Sequence, residues 1–487
     1  MIDISARIHD KYSVEFKSGF CIENEKDKDS FSLNTWIFLP YSLDINRQTY
    51  PKSHFYRDVK NYIRLYAPIY SLEEIADKDN LPFQYFAMAC GFWEADPGAE
   101  NMAELEYQIK TYATIVKNAL RREAEHLLIL DDINELTAAV NRYLLQSDMV
   151  IKHYRELKIW IDEADDEGKA SNYFAFGDEF LSNRLEQKCY ELLDHFAKKE
   201  VNCKESINAK LTKVIEKERI YRQKAGHELI GKDKPEKNRE VLHRLRLLRK
   251  YVENPLFLDA DRKEDGRFMR QLALSLGAAI AMIVATIIVF SAQLRYASFT
   301  MPLFMALVAS YVLKDRVKEI ANYYFSTRLS KKYFDTKTDI SLKGTNLGWI
   351  KESMEFVKED KVPEEVIKKR DRSDILESDN RNTAEKIILY RKLLDLKSSA
   401  FNETMPDHTP GIKDITRFNL STFTMKMDNP TSEIPILNKN GEIEKTEVAF
   451  IYYINFIMQL KHGETVEYKR FRLIMSRNGI EDIETFD

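Results

Sequence analysis

The chain has 487 residues, of which 44% are hydrophobic and 31% charged, with a net charge of −4. That length suits two or three domains, and the apolar content excludes wholesale disorder. The small net charge argues against a dedicated nucleic-acid binder. Cys21, Cys90, Cys189 and Cys203 are scattered without a CxxC pair, which gives neither a disulfide framework nor a zinc site and suits a reducing compartment.

The first residues carry no basic stretch followed by an apolar run, so no signal peptide is expected. Residues 12–23 and 31–43 alternate as strands around the charged turn NEKDKD. Pro51 then opens a predicted helix that Pro68 ends. The segment 1–95 is accordingly expected to be an N-terminal α/β segment.

Only 15 glycines in the whole chain, and Pro235 as the sole proline between Pro97 and Pro255, predict long helices over 96–255. Leu181, Leu185, Cys189, Leu192, Phe196, Cys203, Ile207, Leu211 and Val214 recur at steps of mostly three and four. This is the pattern of a coiled-coil seam or a long bundle helix. Breaks are expected at 130–131, 165–169 and 226–237, dividing the region into three or four long helices. Residues 201–250 hold 15 Lys/Arg against 7 Asp/Glu. There Arg244, Arg246, Arg249 and Lys250 interleave with leucines, as in a basic helix lying on anionic lipid headgroups.

Gln271–Leu294 is a run of 24 residues without charge, and Tyr296–Leu313 a second of 18, separated by Arg295. A bilayer core needs about 20 helical residues, so 270–313 reads as a two-helix transmembrane hairpin. Arg267 and Arg270 precede it, and Lys314, Arg316 and Lys318 follow it. Cationic outer flanks place both termini in the cytoplasm, with the hairpin in the cell (inner) membrane. Small residues at four-residue spacing, Gly277, Ala281 and Ala285, then Pro302, Ala306 and Ser310, mark helix-packing faces.

Residues 314–400 are expected to begin with a juxtamembrane helix and continue as a mixed segment. Residues 412–487 read as an antiparallel β-meander, with turns at Asn440-Gly441, His462-Gly463 and Asn478-Gly479. Val448, Phe450, Tyr452, Ile454, Phe456, Met458 and Leu460 alternate on one strand face. The two terminal β segments can complete one sheet, with the helices and hairpin as a long insertion. The fold class is thus an α+β membrane protein: a cytoplasmic helix bundle or coiled coil, a membrane hairpin and terminal β segments.

No motif marks a catalytic residue, a cofactor site or a metal site. Gly226–Asp233 approaches a phosphate-binding loop, but Asp233 stands where Ser or Thr would hold Mg²⁺, and a charged helical stretch precedes it. Glu123 and His126 have a di-iron spacing without a second copy, and His153–Glu156 reverses the order. Arg57, Asp58 and His54 cluster near the first helix, and Asp407-His408 lies in a loop. The expected function is a non-enzymatic, membrane-anchored scaffold or signalling protein. Its partners would be the lipid bilayer, anionic headgroups and either another copy or a protein partner, with no nucleic acid. The alternatives are an oligomeric channel or pore-type effector gated by its cytoplasmic domains, and a membrane-tethered enzyme without a recognisable motif.

Overall fold

The computed structural model describes residues 4–21, 28–165, 168–198, 204–232, 234–295, 300–332, 334–342, 344–382, 384–404, 411–438 and 441–486. The chain forms two compact units. The first comprises Met1–Ile63 with Leu258–Asp487, and the second is Arg64–Phe257. The helical unit is therefore an insertion into the β-rich one.

The β-rich unit begins with β1 (Ile4–Asp10), β2 (Ser13–Cys21) and β3 (Lys28–Leu39), then α1 (Lys52–Asp58) and β4 (Val59–Leu65). The helix predicted after Pro51 thus stops early. In β4 every second or fourth residue, Val59, Ile63 and Leu65, is buried, and the strand joins a sheet that local propensity could not reveal.

The helical unit holds α2 (Leu72–Ala76), α3 (Leu81–Ala95), α4 (Ala99–Ile129), α5 (Ile133–Glu156), α6 (Lys158–Asp162), α7 (Lys169–Lys198), α8 (Lys204–Lys224) and α9 (Pro235–Glu253). The break read at 130–131 falls between helices; those at 165–169 and 226–237 reach into the first residues of α7 and α9, at Lys169 and Pro235–Lys237. The expected continuous seam is divided between α7 and α8, giving five long helices among the described residues of 96–255 rather than three or four. These two helices run antiparallel: Asp178 accepts from Tyr221, and Asn183 and Glu186 accept from Arg222. The division falls at the seven-residue step from Phe196 to Cys203, where the apolar stripe lapses; Cys203 itself lies outside the described residues. The core centres on a stack of Phe86, Tyr112, Tyr154 and Phe174.

The chain returns to the β-rich unit at β5 (Asp259–Glu264), followed by α10 (Arg267–Arg295), α11 (Met301–Lys332), β6 (Thr336–Leu342) and β7 (Thr345–Val357). Then come α12 (Glu364–Arg370), α13 (Asp374–Asn382), β8 (Lys386–Lys397), α14 (Ser398–Thr404), β9 (Gly411–Asn419) and α15 (Ser421–Thr424). The chain ends with β10 (Thr431–Leu437), β11 (Ile443–Ala449), β12 (Tyr452–His462), β13 (Thr465–Ser476) and β14 (Gly479–Phe486).

Eight strands form an antiparallel sheet in the order β14-β13-β12-β3-β8-β7-β6-β5, and four form a second in the order β1-β2-β9-β4. The terminal β segments do share sheets. Phe31–Phe38 pairs with Asn455–His462, and Ser13–Cys21 with Gly411–Asn419. The two sheets face each other through Phe16, Phe418, Phe456 and Phe471, whose rings approach to between 4.9 and 5.8 Å. Val362 and Val366 cover the opposite face of the large sheet over Trp36, Phe38 and Ile457.

The C-terminal stretch is not a single meander. β9 joins the small sheet, β10 and β11 make a separate two-stranded ribbon, and only β12–β14 form a meander at the edge of the large sheet. Val448 and Phe450 therefore lie outside the strand that carries Ile454, Phe456 and Leu460. Both faces of β12 are covered, so one-face alternation described only half of it. The glycine turns do close their hairpins: Gly463 and Gly479 have φ of 57° and 135°, a region open to glycine.

Among the described residues one helix, Leu274–Arg295, is long and apolar enough to cross a membrane, rather than the two of a transmembrane hairpin. The reason lies in α11. Its apolar run from Met301 ends at Leu313, and Lys314, Asp315, Arg316, Lys318 and Glu319 follow within the same helix.

Candidate membrane-embedded helical pair

α10 continues from β5 and α11 leads into β6, so the two helices stand on adjacent antiparallel strands. Gly266, at φ 67°, makes the turn into α10. Pro302 sits at the second position of α11, where a missing backbone N–H costs nothing.

The pair packs through small side chains. Gly277, Ala281, Ala285 and Ala292 are the buried residues on the described part of α10, at helical spacings of four, four and seven. A β-carbon at Gly277 would lie 2.8 Å from Asn322 Oδ1 and 3.3 Å from Ala321 Cβ. Ser310 is buried and donates from Oγ to the Ala285 carbonyl at 2.9 Å. Ala306 is half-buried, while Pro302 is exposed at the start of α11. These contacts set an antiparallel register that brings Lys314–Glu319 alongside the level of Ala278–Ile283 on α10.

The large side chains point the other way. On α10, Leu276, Ile280, Met282, Ile283, Ile287 and Phe290 are exposed. On α11, Phe304, Met305, Val308, Tyr311 and Val312 are exposed. Exposed large apolar residues gathered on one pair of helices mark a surface suited to a membrane or a protein partner. Small residues inward and large residues outward is the arrangement for helices solvated by acyl chains.

The basic residues divide. Arg267 and Lys318 are exposed, and the Arg270 side chain lies outside the described residues. Lys314 lays its ammonium 4.0 Å from the Tyr311 ring centre, and Arg316 pairs with Glu319 at 2.9 Å. On α9, Arg246 and Lys250 are exposed. Arg244 instead binds Glu179 of α7 at 2.6 Å, and Arg249 binds Glu253 at 3.2 Å. Arg244 therefore ties its helix to the bundle.

The feet of the pair are fixed by residues the sequence did not single out. Asp265 and Asp335 flank the helices. The Phe334 N–H donates to Asp265 Oδ2 at 3.2 Å, and Lys351 pairs with Asp265 at 3.1 Å. Asp335 accepts from Lys52 at 2.6 Å, from the Tyr56 hydroxyl at 2.9 Å and from the Met354 N–H at 2.8 Å. Burial and the Asp335 carboxylate push the Tyr56 hydroxyl far above its ordinary pKa, so it stays a donor.

From this clamp a buried polar line runs between the sheets. Glu352 accepts from Arg262 at 3.1 Å and from Asn61 and Tyr390. Lys392 donates to Asn61 at 3.1 Å, to Asp414 at 2.5 Å and to Thr416 at 2.6 Å. Burial pushes the Asp414 carboxyl up against the pull of the Lys392 ammonium. The only sequence signal for this line is a charge at an inward position of an alternating strand. Lys392 follows Ile388 and Tyr390 at two-residue steps and precedes Leu394 and Leu396.

The remaining motifs acquire structural roles. Gly226, at φ 80°, turns the chain between α8 and α9. Asp58 accepts from Tyr50, Arg57 and Thr422, and His54 lies against the Tyr50 ring. His153 is lowered in pKa by burial, and Glu156 is paired with Lys78 at 2.8 Å. Asp407 and His408 lie outside the described residues. Among the described residues no three His, Cys, Asp or Glu side chains are grouped to hold a metal ion. No protein-family model, curated protein or solved structure matches the chain.

Proposed function

We propose that this protein is a membrane-anchored scaffold or signalling protein, held in the cell membrane by α10 and α11 and acting through self-association or a protein partner. The apolar surface of the helical pair carries this reading. It is clamped at Asp265 and Asp335 to a large β unit whose own apolar residues are mostly buried. Cationic residues at the feet favour a cytoplasmic location for both termini.

Topology supports a return crossing. The segments before and after the pair are knitted together by β3–β8, β12–β3 and β2–β9 pairing, so they lie on one side of any bilayer. A chain that crosses along α10 must come back along α11. The isolated β10–β11 ribbon, exposed at every residue, offers free strand edges for a partner.

The test removes the pair. Because Glu264 and Thr336 are register partners, a short glycine-rich turn can replace residues 266–334 without breaking the sheet. The full chain is expected to sediment with membranes and resist carbonate extraction. The shortened chain is expected to be soluble, with its β-sheet circular dichroism retained. A full chain that is soluble without detergent would overturn the proposal.

A further inference from the structure

We propose that the charged strip Lys314–Glu319 of α11 is a self-association surface, covered inside the membrane by the same strip of a second copy. The inference rests on the membrane-anchor reading above and adds what the unequal lengths of the two helices require.

α11 offers apolar residues from Met301 to Leu313 before its charges begin. At 1.5 Å per residue that is roughly 20 Å, against a hydrocarbon core of about 30 Å. α10 has enough apolar length to cross, and strand pairing at the feet obliges α11 to make the same journey. The shortfall is about 10 Å. It falls at the level where α10 shows Ile280, Met282 and Ile283 outward, and where Asp315, Arg316 and Glu319 project from α11 at 54, 72 and 68% side-chain exposure. At that depth the pair has one apolar side and one charged side.

A charge facing acyl chains costs about 2.5–3.5 kcal/mol at the bilayer centre and less towards the interface, so such residues face a protein interior or water. Within the strip, Arg316 and Glu319 pair at 2.9 Å, and Lys314–Asp315 is longer at 3.7 Å. What covers the strip is read from its signs. Lys314, Arg316 and Lys318 alternate with Asp315 and Glu319. A headgroup-binding face or a partner of opposite charge calls for one sign. A mixed strip is complementary to itself: in an isologous two-fold contact the cations of one copy meet the anions of the other.

The experiment uses the full chain in vesicles of phosphatidylcholine and phosphatidylglycerol, counting copies by single-molecule photobleaching. Carbonate resistance of each sample is checked first, so that a failed anchor is recognised as such and not as a failed interface. The unaltered chain is expected in units of two or more. R316E/K318E, which leaves Lys314 as the sole cation of the strip, is expected to weaken association at least tenfold while remaining in the membrane. Exchanging all five signs (K314E/D315K/R316E/K318E/E319K) restores self-complementarity and is expected to restore the copy number. A carbonate-resistant chain that is monomeric, or an R316E/K318E variant with unchanged copy number, overturns the proposal.

Discussion

The helical unit and the α10–α11 pair are both built of long helices, yet they sort side chains by opposite rules. In the bundle, aromatic and aliphatic residues fill the interior, and charges enter it only when compensated. Arg155 binds Asp178 and Glu218 at 2.8 Å, and the buried Arg222 binds Glu186. In the pair, glycine, alanine and serine make the contact, and the large apolar residues face out. Under the proposed membrane anchorage, the difference reflects the solvent that each region meets. Water drives large apolar groups together and leaves charges at the rim, whereas acyl chains leave close backbone approach as the source of cohesion.

Matched substitutions can break or sharpen this contrast. Phe174 is 2% exposed in the bundle and Phe290 is 62% exposed on α10. F174A is expected to cost about 3–5 kcal/mol by chemical denaturation, and F290A to stay within about 0.5 kcal/mol. Equal losses would show that α10 is packed against protein. Arginine gives the next pair. R222M leaves Glu186 only the longer Arg219 contact at 3.4 Å and Asn183 without its donor, an expected loss of about 2–3 kcal/mol; R316M removes an exposed partner and should cost under about 1 kcal/mol. Glycine gives the third. A β-carbon at Gly177 would fall on the Tyr154 hydroxyl, which is fixed by its hydrogen bond to the Phe174 carbonyl at 2.9 Å. G177A should therefore lose about 1–3 kcal/mol. At Gly277 the nearest atom is the movable end of Asn322, so G277A should cost less than G177A.

The smallest effect separates the β unit from both helical regions. Burial of Glu15 opposes its ionisation, but Arg417 and Arg7 overcome this and hold the carboxyl at about 2, below its ordinary 4.5. A depressed carboxylate adds stability that is fully present above the unfolded value and lost as pH falls through the folded one. Thermal melts should show the β unit weakening between about pH 4.5 and 2. E15Q should lower the melting temperature at pH 7 and flatten that acid limb, with the bundle transition unmoved.

Legibility in the sequence followed the range of the interaction. The glycine turns at 463 and 479, the helix breaks near 130 and 226, and the long charge-free run are local and were readable. The sequence around β4 predicts helix because the reason for the strand is a neighbour hundreds of residues away, β9. The uncharged run from Tyr296 to Leu313 is legible, but not that α11 begins at Met301 and carries Lys314–Glu319 on within the same helix. Asp265, Asp335, Lys392 and Asp414 carry no motif at all. Their roles come from a pairing of strands that the chain assembles from both of its ends.

What the sequence determined by itself is the periodicity and charge of its segments: a helix-rich middle, an apolar run near residue 280, strands at both ends. These follow from side-chain chemistry over one or two turns of chain. Only the tertiary structure decided that the two ends form common sheets, that the pair stands on adjacent strands β5 and β6, and that α11 presents its charges at the level of the apolar face of α10. Those facts depend on register between distant segments. Backbone hydrogen bonds and close packing fix that register in three dimensions, and no local pattern encodes it.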